Sequence, residues 1–351
     1  MIYNYLKKNL KKLILILFFI PQFCFSQQTI FSNVVHDNLS RDYIIYVPLS
    51  YDPNIETPLV FSLHGKGGNS ATNMSYTNFN SIADTANFIV IYPQGALDLN
   101  LITNWNVGDW IFSSGVDDIG FIDTILEIMS FQYNIDSDRV YSTGFSNGGF
   151  MSFSLACQLS DKIAAIAAVA GSMTPFTYNN CNPLHPTPVL QIHGTNDIVV
   201  PYDGDPSWTK SVDDVLEFWR NYNNCSINPY VYNIADINML DLSTVDHFLF
   251  ENGNNGVTTE HFKVYNGGHD WPGVWGNFDI NSSNEIWNFF SKYDINGLIS
   301  ANTNINPEIN FNQKQVVNIF DFLGRTISVS KNTPLFYLYN DGSLEKKMIT
   351  Y

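Results

Sequence analysis

Between residues 27 and 298, short apolar runs of strand type alternate with longer helical stretches. The strand-type runs are rich in β-branched and aromatic residues and are bounded by turn residues. They fall at residues 43–47, 59–63, 88–92, 139–142, 163–170, 189–192 and 260–265. The helical stretches fall at residues 122–131, 150–159, 212–222 and 286–293, the last opened by a capping box at residues 282–285. This alternation predicts an α/β fold with a mostly parallel central sheet and helices on both faces, in which function gathers at the carboxyl ends of the strands.

The composition fits a large folded domain. Apolar residues make up 45% of the 351 residues and charged residues 14%, which allows a sizeable core and excludes wholesale disorder. The net charge of −16 argues against nucleic acid and anionic membrane surfaces as partners.

The first 26 residues have the pattern of a secretory signal peptide. Four lysines between residues 7 and 12 precede the apolar run 13–20, and Cys24 and Ser26 place small residues before a cleavage point ahead of Gln27. The run is too short to span a bilayer, and no other apolar run approaches the roughly 20 residues required. We therefore expect a mature chain that is secreted and has no transmembrane segment.

Residues 299–351 form a separate C-terminal segment. Residues 299–307 are rich in Asn, Ser and Thr and end in Pro, which is typical of a linker. Strand-type runs follow at residues 316–320 and 335–339, separated by turn residues. The predicted organisation is a signal peptide at residues 1–26, an α/β domain at residues 27–298, and a linker with a small β appendage at residues 299–351.

Cys157, Cys181 and Cys225 are the cysteines after residue 26. Three cysteines in an exported chain allow one disulfide and one free thiol, and the sequence does not choose the pair. Their spacing does not match a zinc site, so no bound metal is expected.

A Gly-Phe-Ser-Asn-Gly-Gly stretch at residues 144–149 lies directly between a strand-type run and a helical stretch. It fits the G-x-S-x-G elbow, in which a sharp strand-to-helix turn exposes the serine hydroxyl next to a helix N-terminus. This context predicts Ser146 as a catalytic nucleophile.

A second Gly-rich stretch, at residues 64–69, follows the strand-type run 59–63. We expect the backbone N–H groups of Lys66 and Asn147 to bind the oxyanion of a tetrahedral intermediate. A phosphate-binding loop is the alternative, and the absence of a G-x-x-x-x-G-K-[ST] motif argues against it.

Asp197 and His269 each follow a separate strand-type run, in a turn and in a Gly-bounded loop. The order Ser146, Asp197, His269 along the chain is that of α/β-hydrolases, and it predicts Asp197 as the group that orients the general base His269. The other histidines are interpreted as structural or surface residues, with two of them bracing their loops; they are His36, His64, His185, His193, His247 and His261, and the two braces are His64 and His193.

Taken together, several short motifs resemble those of the polyhydroxybutyrate depolymerase and feruloyl esterase family. They are LHGKGGN at 63–69, YPQG at 92–95, WN at 105–106, VDDIGF at 116–121, DRVYSTGFSNGG at 138–149, HGTND at 193–197 and GHDWPG at 268–273. The resemblance implies an α/β-hydrolase fold and hydrolysis of carboxylic esters through an acyl-enzyme, without a cofactor. It leaves the substrate open among polyesters, hydroxycinnamoyl–sugar esters and acetyl–sugar esters.

The resemblance also has implications for Trp105, Trp271 and Cys225. Trp105 and Trp271 lie within its motifs, where they could border the substrate pocket or simply pack in the core. Members of the family often carry a further cysteine in the segment that corresponds to residues 250–255, so Cys225 is expected to lack that partner.

The last 35 or so residues resemble the C-terminal sorting tails of type IX secretion substrates of Bacteroidetes. The resemblance rests on residues 319–325, 334–342 and 345–349, and it implies passage across the outer membrane by the type IX machinery. A plain β-hairpin cap is the alternative.

Two other functions compete with the ester hydrolase. One is a serine peptidase of the same fold, against which the esterase-type motifs argue. The other is a non-catalytic surface protein that binds carbohydrate, against which the intact set of Ser146, Asp197 and His269 argues.

Overall fold

The computed structural model describes residues 27–108 and 115–299, and three strands of the C-terminal segment at residues 316–320, 334–339 and 344–348. The predicted signal peptide, and the predicted linker at residues 299–307 apart from its first residue, lie outside the described residues. The chain divides after Ile299 into two compact units.

In the described part of the first unit, ten strands form one sheet. In sheet order they are β1 (Gln28–His36), β2 (Leu39–Val47), β4 (Ile89–Pro93), β3 (Thr57–Leu63), β7 (Ile135–Phe145), β8 (Ala165–Val169), β9 (Val189–Gly194), β12 (Thr259–Tyr265), β11 (Thr244–Phe250) and β10 (Tyr230–Asn233). The six strands from β4 to β12 run parallel, and antiparallel pairs complete both edges. Two separate antiparallel pairs are formed by short strands: β5 (Ala96–Leu97) pairs with β6 (Thr103–Asn104), and β13 (Tyr293–Asp294) pairs with β14 (Gly297–Leu298).

Helices cover both faces of this sheet. They are α1 (Ser70–Thr77), α2 (Phe79–Ala86), α3 (Asp118–Gln132), α4 (Asn147–Gln158), α5 (Pro175–Asn180), α6 (Val212–Tyr222) and α7 (Ser282–Phe290). One core cluster joins side chains of α3, α4 and α6 to one face, and a second joins those of α2 and α7 to the other. Strands β3, β4 and β8 are buried along their whole length, as parallel strands covered on both faces are. The predicted α/β-hydrolase architecture is confirmed.

Several boundaries differ from the sequence prediction. The helix pair α1 and α2 is not predicted, because residues 70–86 are rich in Ser, Thr and Asn, which are weak helix formers. It is organised instead by asparagines: the Asn69 side chain caps α1, and Asn78 adopts a left-handed conformation between the two helices. The cap of α7 is also one residue earlier than predicted, since the Asn281 side chain, rather than that of Ser282, accepts the N–H of Asn284.

Cys157 and Cys181 form the disulfide, which ties the last turn of α4 to the end of α5, and Cys225 is a free, buried thiol. Gly253 lies in the segment 250–255, which holds no cysteine and in which Cys225 is therefore expected to lack a partner. A Cβ atom built on Gly253 would be 2.9 Å from the Cys225 sulfur. The position that faces Cys225 is therefore occupied here by glycine.

The second unit contains a three-stranded antiparallel sheet of β15 (Val316–Phe320), β16 (Pro334–Tyr339) and β17 (Leu344–Met348), in that order. This agrees with the predicted β appendage, although the third strand is not predicted. Among the residues that the structure describes, no helix has both the length and the apolarity needed to cross a membrane.

Candidate active site

Ser146 occupies a strained turn between β7 and α4. Its φ of 54° and ψ of −120° lie outside the regions that non-glycine residues normally adopt. The turn is held by hydrogen bonds in which the N–H of Ser146 donates to Val169 O at 2.8 Å and that of Gly149 donates to Ser146 O at 2.8 Å. This is the geometry in which an elbow serine is presented at the end of a strand.

The glycines of the elbow allow backbone segments to approach closely. A Cβ atom on Gly148 would lie 2.2 Å from the carbonyl oxygen of Leu63, and one on Gly144 would lie 2.4 Å from the carbonyl of Gly148. A side chain at Gly148 would push the elbow away from β3, and one at Gly144 would push α4 away from the end of β7. The G-x-S-x-G spacing is thus a packing requirement of this turn.

Asp197 and His269 form a hydrogen-bonded pair. The Nδ1 atom of His269 lies 2.7 Å from Oδ2 of Asp197. Since a carboxylate only accepts, Nδ1 carries the proton, and Nε2 of the neutral ring is left as the basic nitrogen. The Asp197 side chain is fully buried, whereas 17% of the His269 side chain is exposed. The pair therefore presents a base toward solvent and keeps its carboxylate inside.

The second oxygen of Asp197 is also fixed. Its Oδ1 accepts the backbone N–H groups of Val199 and Val200, each at 2.8 Å. Burial alone would raise the pKa of Asp197, but hydrogen bonds from His193 and His269 outweigh it and hold this pKa well below its usual range. Asp197 is therefore ionised at neutral pH and can stabilise a charged imidazole.

The fold brings the three predicted catalytic residues to one edge of the sheet. Ser146, Asp197 and His269 follow β7, β9 and β12, which are parallel and separated only by β8. The ring of Phe145, the residue before the serine, packs against the His269 ring with 4.8 Å between centroids. His269 is thus in contact with the elbow as well as with Asp197.

The Gly-rich loop after β3 lies against the elbow. A Cβ atom on Gly65 would be 3.3 Å from that of Ser146. The N–H of Gly68 donates to Gly65 O, closing a turn with Lys66 and Gly67 at its corners. Asn147 is the first residue of α4, where backbone N–H groups have no acceptor within the helix. The loop that carries Lys66 and the helix start that carries Asn147 therefore flank Ser146.

The two predicted pocket tryptophans lie in the core. Trp105 is 1% exposed and Trp271 is 0% exposed, so neither indole presents a face on which a substrate could stack. Trp105 instead braces the site: its Nε1–H donates to His64 O, and its backbone N–H donates to the side-chain oxygen of Asn147. Of the two roles considered for these residues, the structure favours packing.

Trp275, which was not predicted as a site residue, is partly buried and lies nearer to Phe145 of the elbow than Trp271 does, with 5.7 Å rather than 6.3 Å between ring centroids. Trp275 packs edge-on against Phe145 at 5.7 Å and against Tyr76 at 5.0 Å. Trp275 lies six residues after His269 in the same loop, and this closeness in sequence is the feature from which it could have been predicted. Trp275 is therefore a better candidate than Trp271 for the edge of a substrate pocket.

His64 and His193 each hydrogen-bond to the backbone of the loop that follows their strand, as predicted for bracing residues. His64 is buried, donates from Nδ1 to Gly65 O and accepts the N–H of Gly95 at Nε2. Burial lowers its pKa to about 4, so it is neutral under most conditions. Four further histidines, His36, His185, His247 and His261, also hydrogen-bond within the protein.

The fold and this arrangement of residues define a protein of the α/β-hydrolase class. Residues 54–224, slightly less than half of the chain, match the phospholipase/carboxylesterase family. The matched part contains Ser146, Asp197 and the Gly-rich loop, and His269 lies beyond it. Among solved structures, an acetyl xylan esterase from Aspergillus awamori shares the fold, with a TM-score of 0.54 and 15% identity over 75% of this chain and 99% of that one.

Curated relatives are esterases. A bifunctional acetylxylan esterase/xylanase of Neocallimastix patriciarum is 30% identical over 268 residues, which cover 75% of this chain and 35% of that protein. A probable feruloyl esterase C of Aspergillus niger is 33% identical over 179 residues, which cover 49% of this chain and 61% of that protein. The chain thus spans less than two thirds of either relative.

Proposed function

We propose that this protein is a secreted serine esterase that hydrolyses carboxylic esters through Ser146, His269 and Asp197. The observation that carries the proposal is the 2.7 Å hydrogen bond between His269 and the buried Asp197, next to a serine on a strained elbow. Each of these features alone has a structural explanation. Their combination at one sheet edge is what nucleophilic catalysis by serine requires.

The proposed reaction proceeds through an acyl-enzyme. Nε2 of His269 takes the hydroxyl proton of Ser146 while Oγ forms a bond to the ester carbonyl carbon. The tetrahedral intermediate then collapses, the bond to the alcohol oxygen breaks, and His269 returns the proton to the leaving alcohol. Water, activated by the same nitrogen, releases the acid and restores the serine. Asp197 stays ionised throughout and stabilises the imidazolium.

The oxyanion is proposed to bind the backbone N–H groups of Lys66 and Asn147. Both belong to segments that flank Ser146, and the N-terminus of α4 adds a favourable field for negative charge. Loss of one such donor is expected to cost about 3 kcal/mol of transition-state stabilisation.

The proposed substrates are acyl esters on plant polysaccharides, such as acetyl or feruloyl groups on xylan. The acetylxylan and feruloyl esterases among the relatives support this class. Polyester hydrolysis, the other activity implied by the motif resemblance, is kept as an outcome of the same assay. The proposed export route uses the signal peptide at residues 1–26 and then the type IX machinery acting on the C-terminal tail.

The test is an ester panel with the exported chain. Acetylated xylan, methyl ferulate, p-nitrophenyl acetate and a hydroxybutyrate oligomer would be compared for the native protein and for Ser146→Ala, with Ser130→Ala on the exposed face of α3 as a matched control. We expect hydrolysis by the native protein and the control and none above background by Ser146→Ala. A folded native protein that turns over none of these esters would overturn the proposal. Cleavage of peptides instead would favour the serine peptidase.

A further inference from the structure

A second histidine contacts the carboxylate that holds His269. Nε2 of His193 lies 3.4 Å from Oδ2 of Asp197, the same oxygen that accepts from His269, and both side chains are fully buried. The same nitrogen lies 2.9 Å from the carbonyl oxygen of Val200. One N–H of His193 therefore faces two acceptors, one of which is the catalytic carboxylate.

The tautomer of His193 is set by Gln191, its neighbour on the same face of β9. The Nε2 amide group of Gln191 donates to Gly171 O at 2.7 Å, which fixes the orientation of the amide, and it also contacts Nδ1 of His193 at 3.0 Å. Because an amide N–H only donates, Nδ1 of His193 must accept, and its proton is therefore on Nε2. This is the tautomer that points a donor at Asp197.

This hydrogen-bonded chain also reaches the nucleophile elbow. A Cβ atom on Gly171 would lie 2.7 Å from the carbonyl oxygen of Ser146, so Gly171 packs directly against the elbow. Gly171 is also the residue whose carbonyl oxygen accepts from the Gln191 amide. The Oε1 atom of Gln191 is buried and has no hydrogen-bond partner. Leaving a buried amide oxygen unpaired costs stability, so packing alone gives no reason for glutamine at this position.

We propose that His193 is a positioning residue of the catalytic site, which keeps the Asp197 carboxylate in the orientation that accepts the Nδ1 proton of His269. Gln191 links His193 to the elbow of Ser146 through its hydrogen bonds to His193 and Gly171. This inference rests on the proposed function. The titratable groups packed around the imidazole are Asp197 on the following turn, Tyr202, whose ring lies edge-on at 5.9 Å, and His261 and Lys263 on β12.

The primary test compares His193→Leu, which removes the donor, with His193→Gln, which keeps an N–H near the position of Nε2. We expect His193→Leu to lower kcat by roughly 10- to 100-fold with little change in KM, since a misplaced base slows chemistry rather than binding. His193→Gln is expected to recover most of the lost rate. His185→Leu, four residues before β9 begins, is the matched control and should leave kcat unchanged.

The pH profile separates positioning from a general packing defect. Since the hydrogen bond from His193 lowers the pKa of Asp197, its loss should let Asp197 take up a proton at higher pH. Because Oδ2 of Asp197 would then accept from His269 alone, the acidic limb of kcat/KM, which reports protonation of the base, should move to higher pH in His193→Leu and stay in place in His185→Leu. A packing defect would lower the rate at every pH without moving this limb.

Two further measurements make the test decisive. The downfield proton resonance of Nδ1–H in His269 reports the Asp197 contact by NMR whether or not the protein hydrolyses the chosen esters. It should weaken or shift in His193→Leu. If His193→Leu does not fold, Gln191→Met should lower kcat in the same direction by freeing the tautomer of His193. Unchanged kcat, acidic limb and resonance in a folded variant would overturn the proposal.

Discussion

The ammonium group of Lys66 lies 3.6 Å from Oδ2 of Asp98, whose side chain has no solvent-exposed surface. The other oxygen of Asp98 accepts the backbone N–H groups of Asn100 and Ile102, and these N–H groups hold the pKa of Asp98 below its usual value, with the charge of Lys66 assisting. Asp98 thus joins the β5–β6 hairpin to the loop that supplies one of the proposed oxyanion donors.

Replacing Asp98 by asparagine should therefore impair catalysis without touching the triad. The amide can keep the two backbone hydrogen bonds, but its NH2 group would face the ammonium of Lys66. We expect kcat to fall roughly three- to tenfold, less than the loss of a whole oxyanion donor, with a small change in KM. Steady-state kinetics on p-nitrophenyl acetate would check this. An unchanged kcat would mean that the Lys66–Asp98 contact does not position the loop.

Asp197→Asn should be far more damaging, for a reason visible in its partners. The N–H groups of Val199 and Val200 will keep the amide oxygen at the Oδ1 position, so the NH2 group will face Nδ1 of His269. His269 is then driven into the wrong tautomer, and kcat at neutral pH should fall by roughly 10⁴-fold. Single-turnover measurements would check this value. A loss smaller than tenfold would contradict the assigned role of Asp197.

Stability should depend on pH through His64. Its pKa is about 4 in the folded protein and 6.5 as the reference value, so the unfolded chain binds the proton first as the pH falls. The contribution of neutral His64 is present above pH 6.5 and is lost between pH 6.5 and pH 4, by up to about 3 kcal/mol. Urea unfolding at pH 7 and pH 4.5 would measure the change. His64→Asn should show a smaller loss over the same range, and an equal loss would contradict this assignment.

The disulfide between Cys157 and Cys181 should contribute to stability under oxidising conditions. It closes a sequence separation of 24 residues, and its removal should lower the free energy of unfolding by about 3 kcal/mol. Urea denaturation of Cys157→Ala with Cys181→Ala, with and without reductant, would measure this. Cys225→Ala serves as the control that keeps the bond. Equal stabilities of the double variant and the native protein would contradict the prediction.

The parts of the fold that the sequence predicts well are those governed by burial. Strands such as β3 and β4 are wholly buried, so their apolar runs mark them clearly. Strand β10 is exposed along its length and carries no comparable signal. Helices α1 and α2 depend on asparagine caps and tertiary contacts rather than on helix propensity, and a single sequence reveals neither.

For the site, chain order and Gly-rich context were sufficient to propose the triad, because these motifs encode local geometry. They were not sufficient for residues whose role depends on distant contacts. The tryptophans at 105 and 271 lie in motifs, yet three-dimensional packing buries both. The choice of Cys157 with Cys181, and the sharing of Asp197 by His193, likewise depend on distances that no sequence spacing specifies.

The free, buried thiol of Cys225 can report local opening of the α/β domain through its reaction with a thiol reagent. The sulfur is buried against Val257 O and Thr259, and burial raises its pKa, so a thiol reagent cannot react in the closed state. In a chain that starts at residue 27 with its disulfide intact, every modified molecule must have opened where Cys225 packs against Val257 and Thr259. The rate of modification would then measure this local opening without any introduced label.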